Sequence, residues 1–290
     1  MQTATTLEML RTSVNALRKE GATIGLVPTM GALHQGHLTL VRAARDACDH
    51  VVASIFVNPT QFGPNEDLDA YPRQLEEDSA MLESEGCSLL WAPNVEAMYP
   101  QGFATSISVR GVSENFCGAS RPGHFDGVAT VVCKLFNQVQ PDMAFFGEKD
   151  FQQLAVIRTM ARDLDLTAPY SKSIIGVPTV REPDGLAMSS RNRYLSAEHR
   201  EAAATLPGSM KEAIARIEDG ADVRETLAAL EDALLGAGFS QVDYADLADA
   251  SSLAKLESLG STDGRLLVAA RIGGTRLIDN MPVQPLVPNP

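Results

Sequence analysis

The sequence lacks long apolar runs and closely spaced cysteine pairs. No stretch approaches the roughly 20 apolar residues that a membrane-spanning helix needs, so we expect no membrane role. The four cysteines, Cys48, Cys87, Cys117 and Cys133, stand far apart with no C-x-x-C pair, a pattern typical of a reducing compartment. Residues 1–21 indicate an amphipathic helix rather than a signal peptide. We therefore expect a cytoplasmic protein.

Basic residues are also scarce, because 24 Lys and Arg face 37 Asp and Glu for a formal net charge of -13. A charge of this sign repels polyanions, and no basic run offsets it, so we expect no nucleic-acid partner. The net negative charge does not exclude a small anion, because a helix N-terminus and a few hydrogen-bond donors can bind one locally. No G-x-G-x-x-G follows a strand, which disfavours a dinucleotide-binding dehydrogenase, and no G-x-S-x-G nucleophile motif occurs.

Strand-like apolar runs alternate with helical runs between residue 23 and about residue 176. The pattern predicts strands at 23–28, 50–58, 88–92 and 142–147, and helices around 37–48, 73–86, 125–140 and 150–163. Continuous apolar strands separated by helices are typical of a parallel sheet covered on both faces. We therefore expect an α/β fold, a doubly wound, Rossmann-like parallel sheet.

The composition of the sequence changes after residue 177. Turn-forming residues are followed by alanine-rich helices near 196–218 and 222–237. Two alternating apolar segments then flank Gly273 and Gly274, which predicts a β-hairpin with a glycine turn. We expect two domains, 1–177 and a smaller α+β domain at 178–290.

The strongest candidate site is V-P-T-M-G-A-L-H-Q-G-H at 27–37, which directly follows the first predicted strand and precedes a helix. Its glycines permit a tight turn, and the helix N-terminus favours an anion. His34 and His37 lie three residues apart, on nearly one face, where both imidazoles can donate to phosphate oxygens. A glycine turn with surface histidines is the plainer alternative. A metal pair is disfavoured, because no carboxylate or thiolate lies near in sequence.

Two further motifs carry candidate phosphate ligands. G-E-K-D-F-Q-Q at 147–153 ends a predicted strand, and Lys149 there can meet phosphate, while Asp150 fits a helix N-cap and Gln153 can face the same cleft. M-S-S-R-N at 188–192 offers two hydroxyls and an arginine that can wrap a triphosphate. A lone G-E-K-D is better explained as a capped helix with a solvated charge cluster, and M-S-S-R-N alone could equally be an N-cap preceding a helix.

The motifs together resemble a known family. The 27–37 motif resembles the H-I-G-H-type box of the nucleotidyltransferase superfamily, and M-S-S-R-N resembles its K-M-S-K-S loop. The further motifs are F-V-N-P-x-Q-F at 56–62, Y-P-R at 71–73, R-P-G-H-F-D-G-V at 121–128, G-E-K-D-F-Q-Q at 147–153 and D-G-L-A-M-S-S-R-N at 184–192. In order and spacing, roughly residues 5 to 285 are similar to the pantothenate synthetase family. Two departures, Gln35 for Glu and Phe151 for Tyr, lie beside functional positions. Ala187 stands at the first position of the K-M-S-K-S-like loop, where it removes a cation that other superfamily members use.

The resemblance implies a ligase that forms an amide bond. ATP and (R)-pantoate would give pantoyl-adenylate and pyrophosphate, and β-alanine would then displace AMP to give pantothenate, a coenzyme A precursor. It also implies a Mg2+-dependent homodimer, with ATP and pantoate bound by 1–177 and with 178–290 closing over the active site. No protein nucleophile is required, because adenylation itself makes the leaving group.

The resemblance also implies roles for individual residues. Those implied in catalysis are His37, as proton donor, with His34, Lys149 and Arg191. Those implied in ATP binding are Met30, Gly31, Ala32, Leu33, His34, Gln35, Gly36, His37, Gly147, Glu148, Lys149, Asp150, Val180, Met188, Ser189, Ser190 and Arg191. Those implied in pantoate and β-alanine binding are Gln61, Gln153 and Met30. The metal ligands stay open, since the acidic pair Glu77 and Asp78 is more simply a solvated helix face.

Two rival functions remain open from the residues alone. A pure adenylyltransferase would move AMP onto a phosphate ester and stop, and it would need extra cations for the second phosphate substrate. A nucleotide-binding regulatory protein would hold ATP without turnover. Release of AMP that depends on β-alanine would separate both from a ligase.

Overall fold

The computed structural model describes residues 1–64 and 66–285. The strands are β1 Gln2–Ala4, β2 Ile24–Thr29, β3 His50–Ile55, β4 Leu89–Trp91, β5 Met143–Gly147, β6 Ile174–Val177, β7 Gln241–Asp249, β8 Gly264–Ile272 and β9 Thr275–Val283. The α-helices are α1 Leu7–Leu17, α2 Gln35–Ala47, α3 Leu75–Ser84, α4 Val95–Met98, α5 Cys117–Ser120, α6 His124–Val139, α7 Phe151–Asp163, α8 Ala197–Ala203, α9 Thr205–Glu218 and α10 Val223–Gly236. Short 3-10 turns include Pro59–Gln61, Glu148–Asp150 and Ser190–Tyr194.

Six parallel strands form one sheet in the order β1-β4-β3-β2-β5-β6. The chain proceeds outward from β2 through β3 to β4 and later resumes beside β2 with β5, so the sheet has its switch point between β2 and β5. Open α/β sheets bind ligands at the carboxyl ends of the strands at such a point. The expected parallel α/β fold is confirmed.

Three strands of this sheet differ from the expectation, which omits β1 and β6 and makes β3 too long. The apolar run predicted to continue to residue 58 leaves the sheet at Ile55, because Asn58 and Pro59 start a 3-10 turn in which the Asn58 side chain accepts the Thr60 N–H at 3.3 Å. The sequence does not predict strand β1, because its three residues show no apolar periodicity. It pairs with β4 at the sheet edge.

The second sheet is antiparallel, in the order β7-β8-β9. The predicted hairpin is confirmed, because β8 and β9 pair up to Ile272 and Thr275 around Gly273 (φ 55°) and Gly274 (φ 78°). Two consecutive positive φ angles match a two-residue turn that favours glycine at both positions. The helical run expected at 196–218 is two helices, α8 and α9.

The described chain divides into two compact units. The first unit contains 1–110, 121–148 and 153–178, and the second contains 111–120, 149–152 and 179–290. The expected domains are contiguous, whereas two short early segments here group with the later chain. Gln152, 4% exposed, joins those segments: its amide donates to the carbonyls of Val112 and Asn115 at 3.0 and 2.7 Å, and its oxygen accepts the Cys117 N–H at 3.0 Å.

Each unit has its own apolar core. That of the first includes Val27, Leu33, Leu90 and Phe145. That of the second includes Leu206, Met210, Leu234, Leu266 and Val268. Within the described residues, the helices are all too short or too polar to cross a bilayer.

Candidate active site

The loop between β2 and α2 is held by a buried carboxylate. Gly31 and Ala32 take positive φ angles of 86° and 51°. The N–H groups of Ala32 and Leu33 donate to the two carboxylate oxygens of Asp78, each at 2.9 Å, and Asp78 is only 1% exposed. The interpretation of Asp78 as a solvated helix residue is therefore wrong. A buried carboxylate compensates its desolvation by accepting such hydrogen bonds, and here they shape the loop.

The two candidate imidazoles lie together at the N-terminus of α2. His34 is the N-cap, and its Nδ1 accepts the Gly36 N–H at 3.1 Å. The Nδ1 of His37 accepts the His34 N–H at 3.3 Å, and the two ring centroids are 4.1 Å apart. A neutral imidazole that accepts at Nδ1 carries its proton at Nε2. Both rings are thus fixed as Nε2–H donors beside a helix N-terminus, a combination suited to an anion.

Gln61 lies in the 3-10 turn that follows β3 and is 9% exposed. Its Nε2 approaches the Met30 sulfur at 2.9 Å, and its Oε1 accepts a hydrogen bond from Asn58 Nδ2 at 3.2 Å. The structure therefore brings together Met30 and Gln61, which come from loops after neighbouring strands. Asn58 orients Gln61 from inside the protein, a role that its place in F-V-N-P-x-Q-F did not reveal.

Helix α6 packs directly against the turn that carries Gln61. Asn58 Nδ2 donates to the Gly127 carbonyl at 3.2 Å. A methyl group at Gly127 would lie 2.3 Å from the Thr60 carbonyl oxygen and 2.8 Å from the Gln61 nitrogen. Backbone contacts this close leave no room for a side chain at the last glycine of R-P-G-H-F-D-G-V.

An ion pair just before α6 supports the same turn, because Arg121 also donates to the Gln61 carbonyl at 3.3 Å. Arg121 donates to both oxygens of Glu66 at 2.5 and 2.7 Å, and its Nη1 lies 3.0 Å from His124 Nε2. His124 Nδ1 lies 2.8 Å from the Gln61 carbonyl, which places the proton of a neutral ring at Nδ1. Burial raises the pKa of Glu66, but the hydrogen bonds and charge of Arg121 outweigh it and lower the pKa to about 2. Arg121 and His124 lie in the motif R-P-G-H-F-D-G-V, but the sequence predicted no role for either residue in supporting Gln61.

The chain after β5 emerges at the same edge of the sheet as the chain after β2, because the two strands are parallel neighbours. Glu148 begins the 3-10 turn after Gly147, and Gln153 lies half-buried in the first turn of α7. Since β3, β2 and β5 are neighbours, the residues after all three emerge at one edge. The first unit thus gathers the 30–37 loop, Gln61, Glu148 and Gln153 at its switch point.

The second unit holds the other candidate nucleotide residues. Val180 and Met188 face each other across a hairpin, with the Met188 N–H donating to the Val180 carbonyl at 3.0 Å. Ser189 caps the following turn by accepting the Arg191 N–H at 3.3 Å. Ser189 is thus the N-cap that was the alternative interpretation of M-S-S-R-N, although it caps a 3-10 turn. The ammonium of Lys149 makes no ion pair with any residue in 1–64 or 66–285, which leaves it able to meet an anion.

The sheet order and the helix N-terminus at its switch point define a doubly wound α/β protein with a candidate anion-binding site. A family model described as Pantoate-beta-alanine ligase matches residues 2–282. The chain belongs to this family, and the family expected from the motifs, a ligase, is confirmed.

Relatives and solved structures agree with this assignment. The chain is 65% identical to the pantothenate synthetase of Novosphingobium aromaticivorans over 285 residues, which cover 98% of this chain and 100% of the relative. It is similar to the crystal structure of pantothenate synthetase from Thermus thermophilus with a TM-score of 0.89 and 49% identity, covering 98% and 100% of the two chains. A Francisella tularensis pantoate-beta-alanine ligase, solved in complex with beta-gamma ATP and beta-alanine, matches with a TM-score of 0.81, 35% identity and 97% coverage of both chains.

Proposed function

We propose that this chain condenses (R)-pantoate with β-alanine at the expense of ATP, through a pantoyl-adenylate, and releases AMP and pyrophosphate. The observation that carries the proposal is the pair of Nε2–H imidazoles, His34 and His37, at the N-terminus of α2 at the switch point. Donors fixed before the reaction stabilise the charge that develops on the α-phosphate and the departing pyrophosphate. Membership of the ligase family supports the same reaction.

The acid substrate would be held in the first unit. Pantoate offers two hydroxyls and a carboxylate, and the amides of Gln61 and Gln153 supply both donors and acceptors. Gln61 is fixed by Asn58 and lies beside Met30, which would give the methyl groups of pantoate an apolar contact. β-Alanine would approach the same residues after the adenylate has formed.

The remaining nucleotide contacts would come from the second unit. Gly147 to Asp150, Val180 and Met188 to Arg191 would complete the ATP site, with Lys149 and Arg191 on the phosphates. Two cations and two imidazoles would then face a single triphosphate, with 178–290 closing over it. The alignment of two anions is the main task of the catalyst, since ATP supplies the leaving group.

A double-mutant cycle tests this convergence. His37→Ala and Lys149→Met should each slow adenylate formation, and the two effects should be strongly non-additive if both groups act on one phosphate chain. Lys172→Met, at an exposed lysine of the first unit, is the matched control and should combine additively with His37→Ala. Additive effects of His37→Ala and Lys149→Met would assign the two groups to separate sites.

The proposal includes Mg2+, a homodimer and a cytoplasmic location. Among residues 1–64 and 66–285, no group of three or more His, Cys, Asp or Glu side chains is arranged to hold a metal ion. Both oxygens of Asp78 are occupied by backbone N–H groups, which argues against Asp78 as a ligand. Mg2+ is commonly bound through substrate phosphates with few protein ligands, so the residues present fit an ion that arrives with ATP and neutralises its charge.

The decisive experiment is an omission series. The protein is incubated with ATP, pantoate and β-alanine, leaving out each in turn, while AMP, pyrophosphate and pantothenate are followed. Pyrophosphate should require pantoate, and stoichiometric release of AMP should require β-alanine. Turnover without β-alanine, or ATP binding without turnover, would reject the ligase. Size measurement of the purified protein tests the homodimer.

A further inference from the structure

A polar pair is buried in the middle of β9. Asp279 and Asn280 are 2% and 4% exposed, in a strand whose other buried residues include Leu277, Met281 and Val283. Buried polar side chains are costly unless they are hydrogen-bonded. The partners of these two residues therefore indicate what the pair stabilises.

Asn280 holds the segment that carries Lys149. Its Nδ2 donates to the Lys149 carbonyl at 2.8 Å, and its Oδ1 accepts from Arg265 Nε, on the neighbouring strand β8, at 2.7 Å. The Arg265 guanidinium also lies over the Phe151 ring at 4.1 Å from its centroid. Residues 149–151 are thus attached to the second sheet through Asn280 and Arg265.

Asp279 holds the hairpin that carries Val180 and Met188. Its carboxylate accepts two hydrogen bonds from Arg181, at 2.6 and 2.9 Å. Arg181 also donates to the Gly185 carbonyl at 2.9 Å, so one guanidinium joins the tip of the hairpin to β9. A bidentate arginine–carboxylate pair fixes orientation as well as distance.

We propose that Asp279 and Asn280 are positioning residues that set the spacing between the two nucleotide segments of the second unit, 149–152 and 179–190. Adjacent Cα atoms are about 3.8 Å apart, so a single dipeptide anchors both segments. Their phosphate ligands must be held at fixed separation before ATP arrives, because misplacement by about 1 Å can cost 100-fold in rate. The inference rests on the proposed function for its kinetic consequence only.

Amide hydrogen exchange on the full chain tests the anchoring without any substrate. Asn280→Asp keeps the acceptor for Arg265 and removes the donor to Lys149, so exchange should rise about tenfold in 149–153, as expected for one lost hydrogen bond. Asp279→Asn weakens the pair with Arg181, so exchange should rise instead in 179–190. Leu277→Ala, which opens the core of the same strand, is the control for general destabilisation and should favour neither segment.

Kinetics give the second readout. Asn280→Asp and Asp279→Asn should each raise the KM for ATP about tenfold while the KM for pantoate, assigned to the first unit, changes less than about twofold. Asn280→Ser serves the same purpose if the aspartate variant does not fold. Equal loosening of both segments by both variants, or a KM change matched by Leu277→Ala, would overturn the inference.

Failure of the proposed function would look different. If the wild-type protein forms no pantothenate in the omission series, the ligase proposal fails while the exchange experiment still decides the anchoring. If the wild type is active and the two variants exchange like the wild type, only the anchoring inference fails.

Discussion

The two units anchor their candidate site residues by different means. In the first unit, the imidazoles are held within one turn of helix, since His34 and His37 fix each other's rings and backbone across three residues. In the second unit, Asn280 holds Lys149, which lies 131 residues away in sequence. Asp279 holds the hairpin of Val180 and Met188 through Arg181, which lies 98 residues away. Local anchors are recognisable as a motif, whereas distant anchors exist only after folding.

The first unit also uses long-range anchors, and they act on its backbone, as Asn280 does at the Lys149 carbonyl. Asp78 binds the N–H groups of Ala32 and Leu33, and His124 binds the carbonyl of Gln61. Contacts to main-chain atoms shape a loop without engaging the side chains that meet substrate. We therefore expect some first-unit variants to slow the reaction without unfolding the protein, and others to act by destabilising a loop.

The largest effect is expected for His37→Ala. Removing a transition-state donor should reduce adenylate formation by about 100-fold or more. His37→Gln is the control, because its amide can return a donor near the position of Nε2 and should recover part of the rate. The measurement is single-turnover pyrophosphate release, with the melting temperature as a check on folding. Full activity of His37→Ala would exclude His37 as a transition-state donor.

Gly127→Ala should have the next largest effect. A methyl group 2.3 Å from the Thr60 oxygen must displace α6 or the turn carrying Gln61, at a cost of about 2–3 kcal/mol in the free energy of unfolding. The KM for pantoate should rise more than the KM for ATP. Gly208→Ala, in α9 with no atom within 4 Å of the added methyl, should be neutral or stabilising. Similar urea midpoints for the two variants would contradict the close packing.

Asp78→Asn should destabilise the loop before α2. The amide cannot accept two N–H groups with both of its polar atoms, so one donor stays unsatisfied and the free energy of unfolding should fall by about 1–3 kcal/mol. The KM for ATP should rise as the 30–37 loop loosens. Glu77→Gln, at the exposed neighbour, should leave both quantities unchanged. Denaturant unfolding and initial rates measure the two effects.

The smallest effect concerns Glu66 and pH. Because the pKa of Glu66 falls from 4.5 to about 2 on folding, its stabilisation is present above pH 4.5 and is lost as the pH falls towards 2. Since its side chain is 25% exposed, we expect Glu66→Gln to cost about 1 kcal/mol at pH 7. The difference between variant and wild type should vanish at low pH, whereas exposed Glu76→Gln should match wild type throughout. A difference that persists at about pH 2 would exclude the ion pair as its cause.

Sequence reasoning located most of the first unit's architecture. Four of its six parallel strands and the helices between them follow from apolar periodicity, because burial on both faces of a sheet demands continuous branched and aromatic runs. Sequence reasoning was less successful for short strands and for buried polar residues. β1 is three residues long, and Asp78 resembles a solvated residue because its neighbours Glu76 and Glu77 are exposed. The hydrogen-bond partners of Asp78 lie in the loop after β2, so the sequence of its own helix α3 does not indicate them.

The sequence by itself determined the family, the parallel sheet and the positions of the residues proposed to touch substrate, since these are read from local patterns and motif order. Only the tertiary structure decided what holds those residues: Asp78 under the first loop, Gly127 and His124 behind Gln61, and Asp279 with Asn280 behind the second unit's segments. The reason is physical. Substrate ligands are specified by their chemistry and local backbone, whereas their anchors are satisfied by whichever buried polar group the fold brings within hydrogen-bonding distance.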